Sequence, residues 1–178
     1  MKNYLYIIFI TLSVSLFTSC SDDDWGNGDP ALEHVYFFGF AEWSAKFDNK
    51  VAYSVVQGET AAIPVQFHSE RVRSYNVNVS YYVTGLNEGV DYIVVDENGK
   101  QITKDENGGY NMQWPNAIKG VKNIYIKTLI GSKGALKIQT FNPNSVEPIS
   151  YTNITIAKTD DYEVRAFTQN YLVTLNIK

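Results

Sequence analysis

Histidine and cysteine are scarce in this chain of 178 residues, which contains two histidines and one cysteine. His34 and His68 have no cysteine, aspartate or glutamate at a metal-ligand spacing, so a zinc site is not supported. The sequence also contains no G-x-S-x-G elbow, P-loop or H-E-x-x-H motif. These absences predict a protein that is not an enzyme.

Clustered positive charge is missing as well. The formal net charge is −4 at pH 7, whereas nucleic-acid binding needs a basic face. We therefore expect no nucleic-acid partner. The adjacent carboxylates Asp160 and Asp161 would point to opposite faces of a strand, so we interpret them as turn residues and not as a glycosidase pair.

Long hydrophobic runs are confined to the start of the chain. The apolar stretch 4–17 follows Lys2 and falls short of the roughly 20 residues that a membrane-spanning helix needs. It is typical of a signal peptide, here residues 1–19. Thr18 and Ser19 before Cys20 resemble a lipobox, although Phe17 stands where that motif usually has Leu, Val or Ile. Because an unused lone cysteine in an exported protein would be an oxidisable thiol, we expect Cys20 to carry a lipid.

Residues 20–31 are predicted to form an acidic, flexible tether. Asp22, Asp23 and Asp24 resemble the signal that sends lipoproteins of Bacteroidetes to the outside of the outer membrane, and they are also typical of an ordinary solvated linker. On the first interpretation the protein is lipid-anchored in the outer membrane and faces the cell exterior. Residues 32–178 remain as a single domain.

Alternation with a period of two dominates this domain. Val77, Val79, Tyr81 and Val83 alternate with more polar residues, which is the pattern of a half-buried strand. Similar runs, separated by segments rich in glycine and asparagine, occur at residues 63–67, 124–128, 136–140, 152–156 and 171–177. About nine or ten strands at this spacing predict an all-β fold, an immunoglobulin-like β-sandwich.

Short motifs across residues 34–161 resemble the Calx-β domain, which is itself an immunoglobulin-like sandwich. Residues 55–59 (VVQGE) are similar to the V-x-E-G stretch of that family, and residues 89–92 (GVDY) match its G-x-D-Y. Trp114 stands near the family's aromatic residue before a glycine turn. Residues 162–178 exceed the family's usual end, so the added strand either pairs with a free sheet edge or belongs to a variant of the fold.

The same resemblance raises the question of calcium. Its calcium-binding members carry a D-x-x-x-E-x-x-E segment where this chain has residues 130–135 (IGSKGA). Calcium takes six to eight oxygen ligands, and the acidic residues that remain are Glu59, Asp91, Asp160 and Asp161. Without the missing acids, the sequence predicts no bound cofactor and leaves calcium as the less favoured alternative.

Aromatic residues are plentiful, at 14% of the chain. Most of them should fill the core and pair across strands. Trp43 lies in a predicted loop, where an exposed indole could stack on a sugar ring or a partner. Tyr82, on the polar face of its strand, and Tyr125, between two isoleucines, are weaker candidates for ligand contact.

The anchor, the acidic tether and the missing catalytic motifs together predict a non-enzymatic surface lipoprotein that acts as a binding or adhesion module. Its expected partner is an extracellular protein or glycan. Two alternatives remain open. The protein could be a glycan-binding accessory of a polysaccharide-uptake system, as the resemblance to Bacteroidetes surface lipoproteins implies, or a structural subunit of a surface complex.

Overall fold

The computed structural model describes residues 32–41, 51–145, 150 and 152–178, and His34–Lys178 form one compact unit. The signal peptide, the lipidated Cys20, the acidic tether and Trp43 are predictions that lie outside the described residues. Among the described residues, no helix has the length and apolar character required to cross a membrane.

The described residues form eleven β-strands, and a turn of 3-10 helix lies at Pro115–Ala117. In chain order the strands are β1 (Val35–Phe40), β2 (Ala52–Val55), β3 (Thr60–His68), β4 (Val77–Thr84), β5 (Tyr92–Val95), β6 (Tyr110–Trp114), β7 (Gly120–Thr128), β8 (Gly134–Gln139), β9 (Thr155–Lys158), β10 (Glu163–Ala166) and β11 (Leu172–Ile177).

These strands pair into two sheets. The six-stranded sheet has the order β5-β7-β3-β1-β10-β9, and the five-stranded sheet has the order β2-β11-β8-β4-β6. The pairings β1/β10 and β2/β11 are parallel, and the other pairings are antiparallel. The predicted all-β, immunoglobulin-like sandwich is confirmed, with eleven strands instead of nine or ten.

The core lies between the two sheets and follows the alternation in the sequence. In β3, Ile63, Val65 and Phe67 are fully buried, while the residues between them are more exposed. Ile124 and Ile126 of β7 face the same core. Burying one such side chain stabilises the fold by about 1.5–3 kcal/mol relative to leaving it exposed, so the period-two pattern determines which face of each strand turns inward.

Residues 162–178 belong to the interior of the fold. Strand β10 lies between β1 and β9, and β11 lies between β2 and β8. Val164 of β10 and Leu175 of β11 are fully buried. The last strand therefore does not cover a sheet edge, and both added strands contribute to the core.

Two partly buried carboxylates form ion pairs that make the fold sensitive to acid. Burial alone would raise the pKa of the Glu88 carboxyl, but the Lys104 ammonium 2.9 Å away lowers it below its ordinary value. Arg165, whose Nε lies 2.6 Å from Glu163, lowers the pKa of that carboxyl too. Such groups contribute stability that is fully present above the pKa of the unfolded chain and is lost as the pH falls through the folded pKa.

We therefore expect the free energy of unfolding to decrease as the pH falls below about 4.5. Chemical denaturation at a series of pH values measures this decrease. Glu88→Gln and Lys104→Met should each flatten the profile, because each removes one partner of the pair. A profile that stays equally steep in both variants would contradict the assignment.

Candidate binding surface

The structure places the two described aromatic candidates on opposite sides of the sandwich. Tyr82 alternates with the buried Tyr81 and lies on the outer face of the five-stranded sheet. Tyr125 lies between Ile124 and Ile126, which are fully buried, and so faces outward from the six-stranded sheet. These two tyrosines cannot contact one small ligand together.

The four acidic candidates do not converge on one site. Glu59 and Asp91 lie near the carboxyl end of β7, since their carbonyl oxygens accept hydrogen bonds from the N–H groups of Thr128 and Leu129, each at 2.9 Å. The Asp91 carboxylate also accepts a hydrogen bond from the Asn87 N–H at 2.9 Å. The Asp91 carboxylate therefore stabilises the loop 87–91, to which it belongs.

Asp160 and Asp161 lie in the turn between β9 and β10, at the other end of the sheet. At this end β10 begins opposite Val35, the first residue of β1. Strand β3 runs antiparallel to β1 and ends there opposite the amino end of β7. Nine residues of β7 separate the two ends, which is on the order of 25 Å for an extended strand. Among the described residues, no group of three or more His, Cys, Asp or Glu side chains could hold a metal ion. The four acids therefore do not fit a calcium site.

Tyr82 belongs to a row of side chains on the outer face of the five-stranded sheet. In the register of β4, β8 and β11, Tyr82 pairs with Gln139 and Gln139 pairs with Leu172. Since neighbouring strands lie about 4.8 Å apart, the Cα atoms of Tyr82 and Leu172 are separated by about 10 Å. Gln139 is only 6% exposed although it points outward. The side chains of Tyr82 and Leu172 flank that of Gln139, and the three form a continuous row across three strands.

Tyr171 continues this row and is held in place by its neighbours. Its ring centroid lies 5.2 Å from that of Phe141 in a tilted arrangement, and its carbonyl oxygen accepts a hydrogen bond from the Thr140 N–H at 3.0 Å. The preceding residue, Asn170, is buried and donates its side-chain amide to the Phe40 carbonyl, while the Phe40 N–H donates to the Asn170 carbonyl. The segment before β11 is thereby tied to both sheets.

Beside Tyr171 the surface forms a shallow depression of about 460 Å³ over the parallel pair β2/β11. It is lined by Val51, Ala52, Gln169, Tyr171, Leu172, Thr174 and Asn176. None of these seven side chains is charged at neutral pH. The Asn176 side-chain amide donates to the Tyr53 carbonyl at 3.3 Å, which orients that amide in the lining of the depression.

The opposite end of the row is polar. Ser80 Oγ donates to the Asp105 carboxylate at 3.1 Å, and the Gln113 amide donates to Asn78 at 3.3 Å. Burial, together with the nearby Asp105 carboxylate, raises the pKa of the Tyr82 phenol. Tyr82 therefore stays neutral near pH 7 and can donate a hydrogen bond.

The outer face of the six-stranded sheet differs in character. Phe37 stacks on Phe167 with a centroid distance of 5.7 Å, and Val121 is 59% exposed. Gln66 of β3 pairs with Val121 on one side and with Gly39 on the other. This face therefore carries an aromatic pair and an exposed valine.

Tyr171 is the residue that sequence reasoning placed incorrectly. The alternating run through Val173, Leu175 and Ile177 predicts that Tyr171 shares their buried face. The structure instead begins β11 at Leu172, and Tyr171 lies outside the strand and lines the depression. The asparagine before it was the available signal, because asparagine favours turns and strand ends.

Neither a family model nor a curated protein matches this chain. Among solved structures, the chain is similar to one in a crystal structure of the CaDoc0917–CaCohA2 complex, with 11% identity, a TM-score of 0.39 and coverage of 81% of this chain and 99% of the other. It is also similar to the third ScaB cohesin of R. flavefaciens, solved in complex with a group 1 dockerin, with 10% identity, a TM-score of 0.37 and coverage of 82% and 96%. The sandwich architecture itself follows from the strand pairing given above.

Proposed function

We propose that this protein is a non-enzymatic binding or adhesion module, displayed on the outer membrane by a lipid on Cys20. It contacts an extracellular partner through the outer face of the five-stranded sheet. The observation that supports this function is the depression beside Tyr171, which continues into the row formed by Leu172, Gln139 and Tyr82. Binding sites are typically concave, with apolar walls and a few convergent polar groups.

The chemistry of this surface supports binding more than catalysis. Its lining combines amides, one threonine hydroxyl, a phenol and aliphatic side chains. These groups supply hydrogen bonds and apolar contact, but no carboxylate or imidazole that could transfer a proton near neutral pH. Because Tyr171 is held by Phe141 and Thr140 before any ligand arrives, little conformational entropy is lost on binding.

The test uses the mature lipidated protein in mild detergent, screened against an array of glycans and extracellular proteins. We expect Tyr171→Ala to weaken the specific interaction at least about tenfold, because aromatic anchors at the centre of an interface commonly contribute 2 kcal/mol or more. Tyr125→Ala is the matched control on the opposite face and should bind like the wild type.

A loss of affinity in Tyr125→Ala equal to that in Tyr171→Ala would contradict the choice of face. Val121→Lys probes the alternative function of a structural subunit, which the exposed valine on the outer face of the six-stranded sheet favours. If Val121→Lys abolishes the interaction and Tyr171→Ala leaves it intact, the outer face of the six-stranded sheet is the interface.

A further inference from the structure

We propose that the depression beside Tyr171 is a subsite for an uncharged sugar residue of a neutral polysaccharide. This proposal rests on the proposed function and names the class of ligand for the same surface. The observations that carry it are the uncharged side chains of the seven described lining residues, the combination of amide and hydroxyl groups with apolar side chains, and the packing of the tyrosine against Phe141.

The described lining favours an uncharged ligand over a strongly charged one. A sulfated or uronic acid ligand would leave its charge unpaired among the seven neutral side chains, which is costly when water is displaced. Among the described residues, Lys137 is a cation close in register, because it pairs with Thr174. Lys137 belongs to β8, however, on the side of β11 away from β2, and therefore lies outside the lining of the depression.

The polar groups of the depression suit sugar hydroxyls. Thr174 and the amides of Gln169 and Asn176 can both donate and accept hydrogen bonds, as each sugar hydroxyl does. Because the Asn176 amide nitrogen donates to Tyr53, the Asn176 side-chain oxygen serves as an acceptor for the ligand. Two of these groups, Thr174 and Asn176, lie on the outer face of β11, so the ligand need not add a strand to the β2 edge as an extended peptide would.

The apolar part of the depression suits the C–H face of a pyranose ring. Tyr171 and Leu172 are half-buried, and Val51 is 55% exposed. An aromatic ring with a polar tip can stack on the ring of a sugar while its hydroxyl stays hydrated. The Phe141 ring packs against the Tyr171 ring at a centroid distance of 5.2 Å, which restricts its rotation. The row toward Tyr82 then offers a path for the adjoining sugar residues of the polymer.

Affinity electrophoresis of the mature protein tests this proposal. Native gels would contain one polymer each, namely galactomannan, xyloglucan, arabinoxylan, mixed-linkage β-glucan, levan or, as acidic polymers, polygalacturonate and heparin. We expect retardation by at least one neutral polymer, with an affinity that is unchanged between low and about 0.5 M salt because no ion pair contributes. Tyr171→Ala, and Ala52→Trp, which fills the depression, should each weaken it at least tenfold.

Thr84→Ala on the same sheet face and Tyr125→Ala on the opposite face are the controls and should keep wild-type affinity. Circular dichroism establishes that each variant is folded. Retardation by acidic polymers alone, or by a neutral polymer with equal affinity in Tyr171→Ala and Ala52→Trp, would overturn the proposal. The absence of retardation by any polymer also overturns it. If a protein partner still binds in a Tyr171-dependent manner, the proposed function stands and only the sugar subsite fails.

Discussion

Replacing Trp114 with alanine is expected to lower the free energy of unfolding by about 3–5 kcal/mol. Trp114 belongs to the five-stranded sheet and is 2% exposed. Its ring stacks on Phe67 at a centroid distance of 5.1 Å and meets Phe38 edge-on at 6.4 Å, and both phenylalanines belong to the six-stranded sheet. The indole thus joins the two sheets, and its removal leaves a cavity between them.

Urea denaturation followed by circular dichroism measures this loss. Trp114→Phe is the matched control, because a phenyl ring keeps the stacking on Phe67 and the position under the Lys122 ammonium, which lies 4.9 Å from the ring centroid. It should lose clearly less stability than Trp114→Ala. If both variants lose the same amount, or Trp114→Ala loses less than about 1 kcal/mol, the ring does not join the sheets energetically.

Gly39→Ala is expected to cost about 1–3 kcal/mol, because its added methyl group overpacks the face of the six-stranded sheet. A Cβ atom at this position would lie 2.7 Å from a ring carbon of Phe167, 3.0 Å from the side-chain oxygen of Asn170 and 3.1 Å from the Asn170 carbonyl oxygen. The ring can move, but Asn170 is held by hydrogen bonds to Phe40. Because Tyr171 directly follows Asn170 in the chain, a displacement of Asn170 should also move Tyr171 and weaken ligand binding.

Gly120→Ala provides the control for this steric argument. A Cβ atom at Gly120 would meet only a Trp114 ring carbon at 3.9 Å, which is an ordinary van der Waals contact. Denaturant midpoints of the two variants, compared with that of the wild type, measure the difference. We expect a large shift for Gly39→Ala and a small one for Gly120→Ala, and equal shifts would show that close packing against Asn170 is not the cause.

The strands with clear alternation were predictable because the signal is local. Val77, Val79, Tyr81 and Val83 all face the core, and Tyr82 faces outward as its position in the pattern requires. The four-residue strand Glu163–Ala166 is too short for the periodicity to stand out, and it became a strand because the first strand pairs with it in parallel. That pairing joins Val35 to Glu163. Local periodicity cannot predict a contact between residues so far apart in the chain.

The sequence by itself determined the all-β class, the inward face of the long strands and the scarcity of histidine and cysteine, since each of these depends on residue type and spacing alone. Only the tertiary structure decided which residues share a surface. It separated Tyr82 from Tyr125 and Glu59 from Asp160, and it brought Val51 beside Tyr171 in one depression. The reason is that strand order and register set these distances, and both arise from contacts between segments far apart in the chain.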